Sequence, residues 1–205
     1  MRMSFHLACL FTAVAAIAWP QTPAKPADNS ELNQIYDADQ KDRTAKDGKL
    51  DWSQVGPRDV ARRQRVRELL EHGDVRTGND YEHAAMVFQH GDVPDDFLFA
   101  HILAVTAIGK GSPGARWLAA ATLDRYLQRV GQPQVFGTQF SANTENGKEA
   151  KWTMDPYNRT LISPALRDAN CVPDFEHQAE MLRAFSKDED PKPPKKRPCA
   201  EPKKP

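Results

Sequence analysis

The sequence predicts a mainly α-helical fold in which antiparallel helical hairpins stack as a repeat-like array, with a small β-hairpin toward the C-terminus. Helix-ending glycines recur at intervals of 18, 20 and 20 residues, at Gly73, Gly91, Gly111 and Gly131. Helices of similar length joined by short turns produce such intervals. Between these glycines the apolar residues follow helical spacing, and after Gly131 they alternate as they do in strands.

The two ends of the chain flank one predicted folded domain, residues 30–185. Residues 1–18 have the features of a signal peptide, namely Arg2, an apolar run from Leu7 to Ile17 and small residues up to Ala18. That run is shorter than the roughly 20 apolar residues that cross a bilayer, and no later run is longer. Residues 19–29 are typical of a flexible leader, and residues 186–205 of a disordered tail rich in Pro and Lys. We therefore expect an exported protein, periplasmic or secreted, without a transmembrane segment after signal removal.

Removal of the predicted signal peptide leaves two cysteines in the mature chain, Cys171 and Cys199. In an oxidising compartment such a pair usually forms a disulfide, which would fix the tail to the domain. Two unpaired thiols are the alternative. The 28 basic and 28 acidic residues balance, so the net charge gives no reason to expect nucleic acid or an acidic membrane as a partner.

The first two predicted helices carry most of the charged residues of interest. Asn29 or Ser30 caps the first helix, and Asp39 and Arg43 continue its apolar face at helical spacing. The two side chains are predicted to form either a solvated pair near a frayed helix end or a buried or half-buried ion pair. The second helix is predicted to open at Gly56-Pro57, because proline suits a first helical turn, and to run to residue 72.

Three further helices make up the predicted centre of the array. The third starts at Thr77 or Asn79 and ends at Gly91. The fourth starts with Pro94 in its first turn and is apolar over residues 97–108 except for a histidine and a threonine, so we expect neighbours to cover it on all sides. The fifth begins at Ser112, as a cap followed by proline, and ends before residue 131.

The pattern changes in residues 134–154, where we predict the β-hairpin. Phe136, Thr138 and Phe140 alternate as in a strand, and Asn146-Gly147 is a strong tight-turn signal. A short helix from Ser163-Pro164 and a last helix from Pro173 complete the predicted domain.

Candidate catalytic residues are His90, His101 and Asp124. The two histidines lie on adjoining antiparallel helices, and a zinc ion between them would need further N, S or O ligands, of which Asp124 is the nearest by pattern. No HExxH or paired CxxC spacing is present. The sequence therefore identifies neither a metal nor a cofactor. A hydrogen-bonded core histidine is the alternative for His101, and a structural polar network is the alternative for Asp124.

Candidate binding residues are polar side chains that flank these three positions. They are Asp39, Gln40, Arg43, Gln89, Arg125 and Gln139. In Gly137-Thr138-Gln139 the glycine permits close approach of a ligand to the backbone, and the glutamine both donates and accepts. The same segment can equally serve only to connect the helices to the hairpin.

The chain resembles an uncharacterised family of bacterial proteins, many of them exported, that carry QHG and FGTQ signatures. Five segments carry the resemblance, namely Asp39-Gln40 with Arg43, Gln89-His90-Gly91, Ala100-His101, Asp124-Arg125 and Phe136-Gly137-Thr138-Gln139. The resemblance covers roughly residues 31–140. It implies that the chain is a member of this family, but it implies no particular reaction.

The residues support two hypotheses. The first is an exported helical binding or interaction module for a small ligand or peptide, and the second is a hydrolase-like or metal-assisted enzyme that uses a His/Asp/Gln pocket.

Overall fold

The structure is a computed structural model that describes residues 25–44, 50–143, 151–187, 189, 191–192 and 199. Within these residues seven helices accompany one two-stranded antiparallel sheet, which confirms the prediction of a mainly α fold with a small sheet. The elements are α1 (Ser30–Asp42), α2 (Trp52–Glu71), α3 (Gly78–Phe88), α4 (Pro94–Gly109), α5 (Ala115–Arg129), β1 (Ser141–Asn143), β2 (Lys151–Thr153), α6 (Pro164–Ala169) and α7 (Phe175–Phe185).

Helix α3 lies at the centre of the array and packs against α1, α2, α4 and α5. Its second half is buried on nearly every side, because Ala84, Ala85, Val87 and Phe88 all lie in the core. Leu32, Val66, Leu103 and Leu118 reach the same core from the four surrounding helices. Burial all round is what the apolar run from Ala84 to Phe88 predicts.

Side-chain caps fix where several helices begin. The Asn29 side chain accepts a hydrogen bond from the backbone N–H of Leu32, and Thr77 and Asp80 form a reciprocal capping box at α3. Ser163 caps α6 in the same way. These three starts agree with the sequence-based prediction.

Three predicted helix starts are wrong. Helix α7 begins at Phe175, with Asp174 as its cap, rather than at Pro173. Helix α2 begins at Trp52 rather than at Gly56-Pro57, since Asp51 caps it by accepting from the N–H of Ser53. Pro57 therefore lies inside the helix, where only one backbone hydrogen bond is lost. Helix α5 begins at Ala115 after a turn, and Ser112, the predicted cap, instead donates its hydroxyl to Glu82.

Two further predictions about the central helices need correction. Helix α3 ends at Phe88, with Gln89 as its C-cap, rather than at Gly91. Helix α4 is not covered on all sides, because Ile102 is 51% exposed and Val105 is 50% exposed. An apolar sequence predicts burial only where neighbours exist to cover it, and α3 and α5 cover one side of α4.

The predicted hairpin exists, but it is shorter than residues 134–154. Ala142 faces Trp152 in the sheet, and the segment from Phe136 to Phe140 is a loop rather than a strand. Gly137 interrupts any strand there, since its φ of +68° lies in the left-handed region. The predicted turn at residues 146–147 lies outside the described residues.

The predicted signal peptide of residues 1–18, most of the leader and most of the tail also lie outside the described residues, so export stays a prediction. In the described part of the chain, no helix is long and apolar enough to span a bilayer. Cys171 and Cys199 are joined by a disulfide, with 5.0 Å between their Cα atoms. The tail is thus held beside α6 at residue 199.

Candidate functional site

A cleft of about 420 Å³ opens where the C-terminal end of α1, the N-terminal half of α2, the C-terminal end of α3 and the last turns of α5 approach one another. Its lining includes six ionisable residues, namely Arg43, Asp59, His90, Asp92, Arg125 and Arg129. Leu50 and Trp52 add an apolar part to the lining. The cleft therefore combines several cations with a small hydrophobic surface.

Asp39 organises one wall of this cleft. It is 1% exposed, and its carboxylate lies 3.0 Å from Arg43 Nη1 and 3.1 Å from His90 Nδ1. The Gln40 side-chain amide also donates to it, at 2.9 Å. Of the two alternatives for Asp39 and Arg43, the structure has the buried ion pair rather than the solvated one.

Arginines of α2 extend this network away from the cleft. Asp59 pairs with Arg43 at 2.7 Å and with Arg62 at 2.9 Å. Arg63, which is 8% exposed, donates to the His90 carbonyl at 2.8 Å and to the Asp92 carboxylate at 2.8 Å. These bonds hold the segment after α3 against α2, and they give each of these arginines a carboxylate partner.

Arg125 differs from all of these arginines. Its Nε is buried and has no hydrogen-bond partner, and its Nη1 donates to the Gln89 carbonyl at 3.3 Å. Burial, followed by repulsion from Arg129 and Arg43, lowers the pKa of Arg125 below its ordinary value. No carboxylate of the described residues forms an ion pair with Arg125 or Arg129. The cleft thus contains positive charge that the protein itself does not compensate.

Gln89 contributes its backbone rather than its amide to this wall. The side-chain amide nitrogen contacts Met86 Sδ, while the carbonyl accepts from Arg125. The structure therefore brings together Asp39, Gln40, Arg43, Gln89, His90 and Arg125 among the predicted site residues.

Asp124, His101 and Gln139 lie elsewhere. The Asp124 carboxylate is 0% exposed and accepts from the backbone N–H groups of Val135, Phe136 and Thr138 at 2.7, 3.0 and 2.9 Å, and from the Thr138 hydroxyl. With these bonds made, the carboxylate anchors the loop after α5. It does not line the cleft.

His101 and Gln139 likewise bond to α5 rather than to the cleft. His101 Nδ1 lies 2.9 Å from the Ala119 carbonyl, and the Gln139 amide donates to the Ala121 carbonyl at 3.3 Å. His90 and His101 thus have different partners. Among the described residues, no group of three His, Cys, Asp or Glu side chains is placed to hold a metal.

Sequence reasoning missed Arg129, Asp59 and Trp52. Arg129 lies one helical turn after Arg125, and this spacing alone places both on one face of α5. Asp59 and Trp52 offered no comparable signal, because their part in the cleft depends on how α2 crosses the end of α1. Gln134, also missed, is 0% exposed and bonds both the N–H and the carbonyl of Gln139.

No protein-family model, curated protein or solved structure matches this chain. The resemblance through the QHG and FGTQ segments stays a prediction. Functional inference therefore depends on the cleft itself.

Proposed function

We propose that the protein is a binding module that holds a small organic anion, a carboxylate or phosphate ester, in the cleft between α1, α2 and α5. The observation that carries this proposal is the uncompensated guanidinium of Arg125. A desolvated cation without a counter-ion is costly to the folded state, whereas an anion bound beside it offsets that cost. Guanidinium groups also match the geometry of carboxylates and phosphates, with two parallel N–H donors.

The remaining lining supports a ligand of limited charge with a planar or apolar part. Trp52 is 64% exposed at the cleft and offers an aromatic face on which such a group can pack. Asp92 places a carboxylate that is 75% exposed on the lining. That negative charge opposes highly charged polyanions, so a mono- or dianion suits the cleft best.

Thermal unfolding with inorganic phosphate, succinate and phenyl phosphate at matched ionic strength tests the proposal. A ligand that binds only the folded state raises Tm as its concentration rises. We expect phenyl phosphate to raise Tm most, because it adds an aromatic ring to the dianion. Arg125→Gln should remove the rise.

Arg183→Gln is the matched control, since Arg183 is an exposed arginine of α7 outside the cleft. It should respond to the three anions as the unaltered chain does. Equal shifts in Arg125→Gln and the unaltered chain would contradict binding at Arg125.

A second candidate function, acid–base catalysis on the bound anion, is favoured by the contact of His90 with Asp39. A buried carboxylate at Nδ1 fixes the orientation of an imidazole and leaves Nε2 to exchange a proton with a ligand. His90 lines the cleft and its side chain is 15% exposed. Under this candidate, the protein would slowly hydrolyse phenyl phosphate: His90 takes a proton from a water molecule whose oxygen forms the new bond to phosphorus, and phenol leaves as the ester P–O bond breaks, as followed by NMR. His90→Gln would then bind the ester without converting it, and no conversion by the unaltered chain would dismiss this candidate while leaving the binding function intact.

A further inference from the structure

Gly56 and Gly91 both line the cleft, but the lack of a side chain has a different consequence at each. A β-carbon at Gly91 would overlap the Asp96 side chain, so the packing of the chain requires glycine there. At Gly56, no atom of the described residues lies within 4 Å of the position that a β-carbon would occupy. Gly56 therefore leaves an open space in the wall of the cleft.

The open space at Gly56 lies beside Trp52. Trp52, Gly56 and Asp59 follow one another on α2 at spacings of four and three residues, and all three line the cleft. Because helical side chains lean toward the N-terminus, a side chain at Gly56 would lie over the turn that carries Trp52. Its absence leaves the backbone of α2 accessible next to an indole ring that is 64% exposed. We name the space at Trp52 and Gly56 the Gly56 notch.

Pro57 gives Gly56 a second role, in the backbone of α2. A proline disfavours the helical conformation of a preceding residue that carries a β-carbon, and Pro57 lies inside α2. Glycine thus eases the path of the helix as well as opening the wall of the cleft. The two roles can be separated by mutation, because Pro57 is exposed and does not line the cleft.

We propose that the Gly56 notch selects the ligand by shape, and that it admits a flat aromatic ring stacked on Trp52. This inference rests on the proposed function, since it concerns the part of the ligand that extends from the anion held at Arg125. A ring can approach a helix backbone closely only where no side chain intervenes, and a flat ring packs on indole more closely than a saturated ring does. The ligand class is therefore an aryl phosphate or aryl carboxylate.

Calorimetric titration with inorganic phosphate, phenyl phosphate and cyclohexyl phosphate tests the selection. In the unaltered chain, phenyl phosphate should bind more tightly than cyclohexyl phosphate and about tenfold more tightly than inorganic phosphate. Gly56→Leu fills the notch, so it should remove the advantage of phenyl phosphate and leave the affinity for inorganic phosphate unchanged. Gly109→Leu is the control, because Gly109 also has open space at its β-carbon position but lies at the end of α4, outside the cleft.

A second pair of proteins covers the case in which leucine before proline disturbs α2. Gly56→Leu combined with Pro57→Ala should show the same selective loss relative to Pro57→Ala alone. The notch is overturned, with the anion site left in place, if phenyl phosphate binds equally to this double variant and its parent, or if phenyl and cyclohexyl phosphate bind equally to the unaltered chain. An equal loss of inorganic phosphate binding in the double variant would also overturn the selection by shape. No binding of any of the three anions to the unaltered chain would overturn the proposed function together with the notch.

Discussion

At the scale of single residues, Arg125 and Arg63 show how one residue type serves two purposes in the same region. Arg63 is 8% exposed and has two carboxylates nearby, at 2.8 Å from Asp92 and 3.6 Å from Asp96. Arg125 has only the Gln89 carbonyl, and its Nε has no partner. The first arginine ties the segment after α3 to α2, whereas the second is the residue at which we propose that an anion binds.

This contrast predicts opposite effects on stability when each arginine is replaced by methionine. Arg63→Met should lower the free energy of unfolding by about 1–3 kcal/mol, because it leaves the His90 carbonyl without its donor and removes the ion pair with Asp92. Arg125→Met should lower it by less than about 1 kcal/mol in the absence of anions, since it removes a cation that has no carboxylate partner together with one weak hydrogen bond. Urea denaturation of both variants measures the difference. A larger loss for Arg125→Met would show that Arg125 is a structural residue.

A few individual contacts could be anticipated from the sequence. The expectation of export offered the Cys171–Cys199 disulfide as one of two alternatives. The four-residue spacing of Asp39 and Arg43 on a helix likewise offered their ion pair as one of two alternatives. The same reasoning placed Asp124 with the histidines, yet its carboxylate binds the N–H groups of a loop 11 to 14 residues later. The path of a loop depends on tertiary packing, which helical periodicity does not encode.

At the scale of elements, Asp80 joins the starts of α1 and α3. It is 0% exposed, and its carboxylate accepts from the backbone N–H groups of Asn29, Arg76 and Thr77 at 2.7, 2.9 and 3.0 Å. Burial opposes ionisation, but the hydrogen bonds from Thr77, Arg76 and Asn29 outweigh it and lower the pKa of Asp80 below its ordinary value. One ionised side chain thus fixes two helix ends.

The lowered pKa gives the contribution of Asp80 a definite pH dependence. A carboxyl whose pKa falls on folding stabilises the folded state fully above its unfolded pKa, about 3.9, and loses that effect as pH falls through the lower folded value. Asp80→Asn should therefore cost roughly 1–3 kcal/mol at pH 7 and progressively less below about pH 4. Asp95→Asn, at the exposed start of α4, is the control. A cost of Asp80→Asn that does not change with pH would contradict the role of the ionised carboxylate.

Which segments form helices was predictable, whereas the residues at which some of the helices begin or end were not. Caps such as Thr77 and Ser163 are local signals, and those helix starts agree with the prediction. The start of α2 was misjudged because the cap at Asp51 extends the helix through Pro57. The exposure of α4 was misjudged because periodicity gives the apolar positions of a helix but not the number of its neighbours.

At the scale of the whole molecule, the helical array was predictable from the regular glycine spacing and the apolar run of α3. The packing of the chain after α5 was not predictable, because its described parts, residues 134–143 and 151–178, are held to one another by buried polar contacts. Arg167, 1% exposed, donates to the carbonyls of Phe136 and Pro173, and the Gln178 amide donates to the carbonyls of Phe136 and Gly137. Such contacts between distant parts of the chain have no period in the sequence.

Calorimetric titration of the full chain with phenyl phosphate, compared with Arg125→Gln and Arg183→Gln, tests the proposed anion site most directly. We expect saturable binding to the unaltered chain and to Arg183→Gln. In Arg125→Gln the affinity should fall by about tenfold to a hundredfold, as expected for the loss of a charge-assisted hydrogen bond of about 1.5–3 kcal/mol. Equal affinity in all three proteins, or no binding to any of them, would contradict the anion site at Arg125.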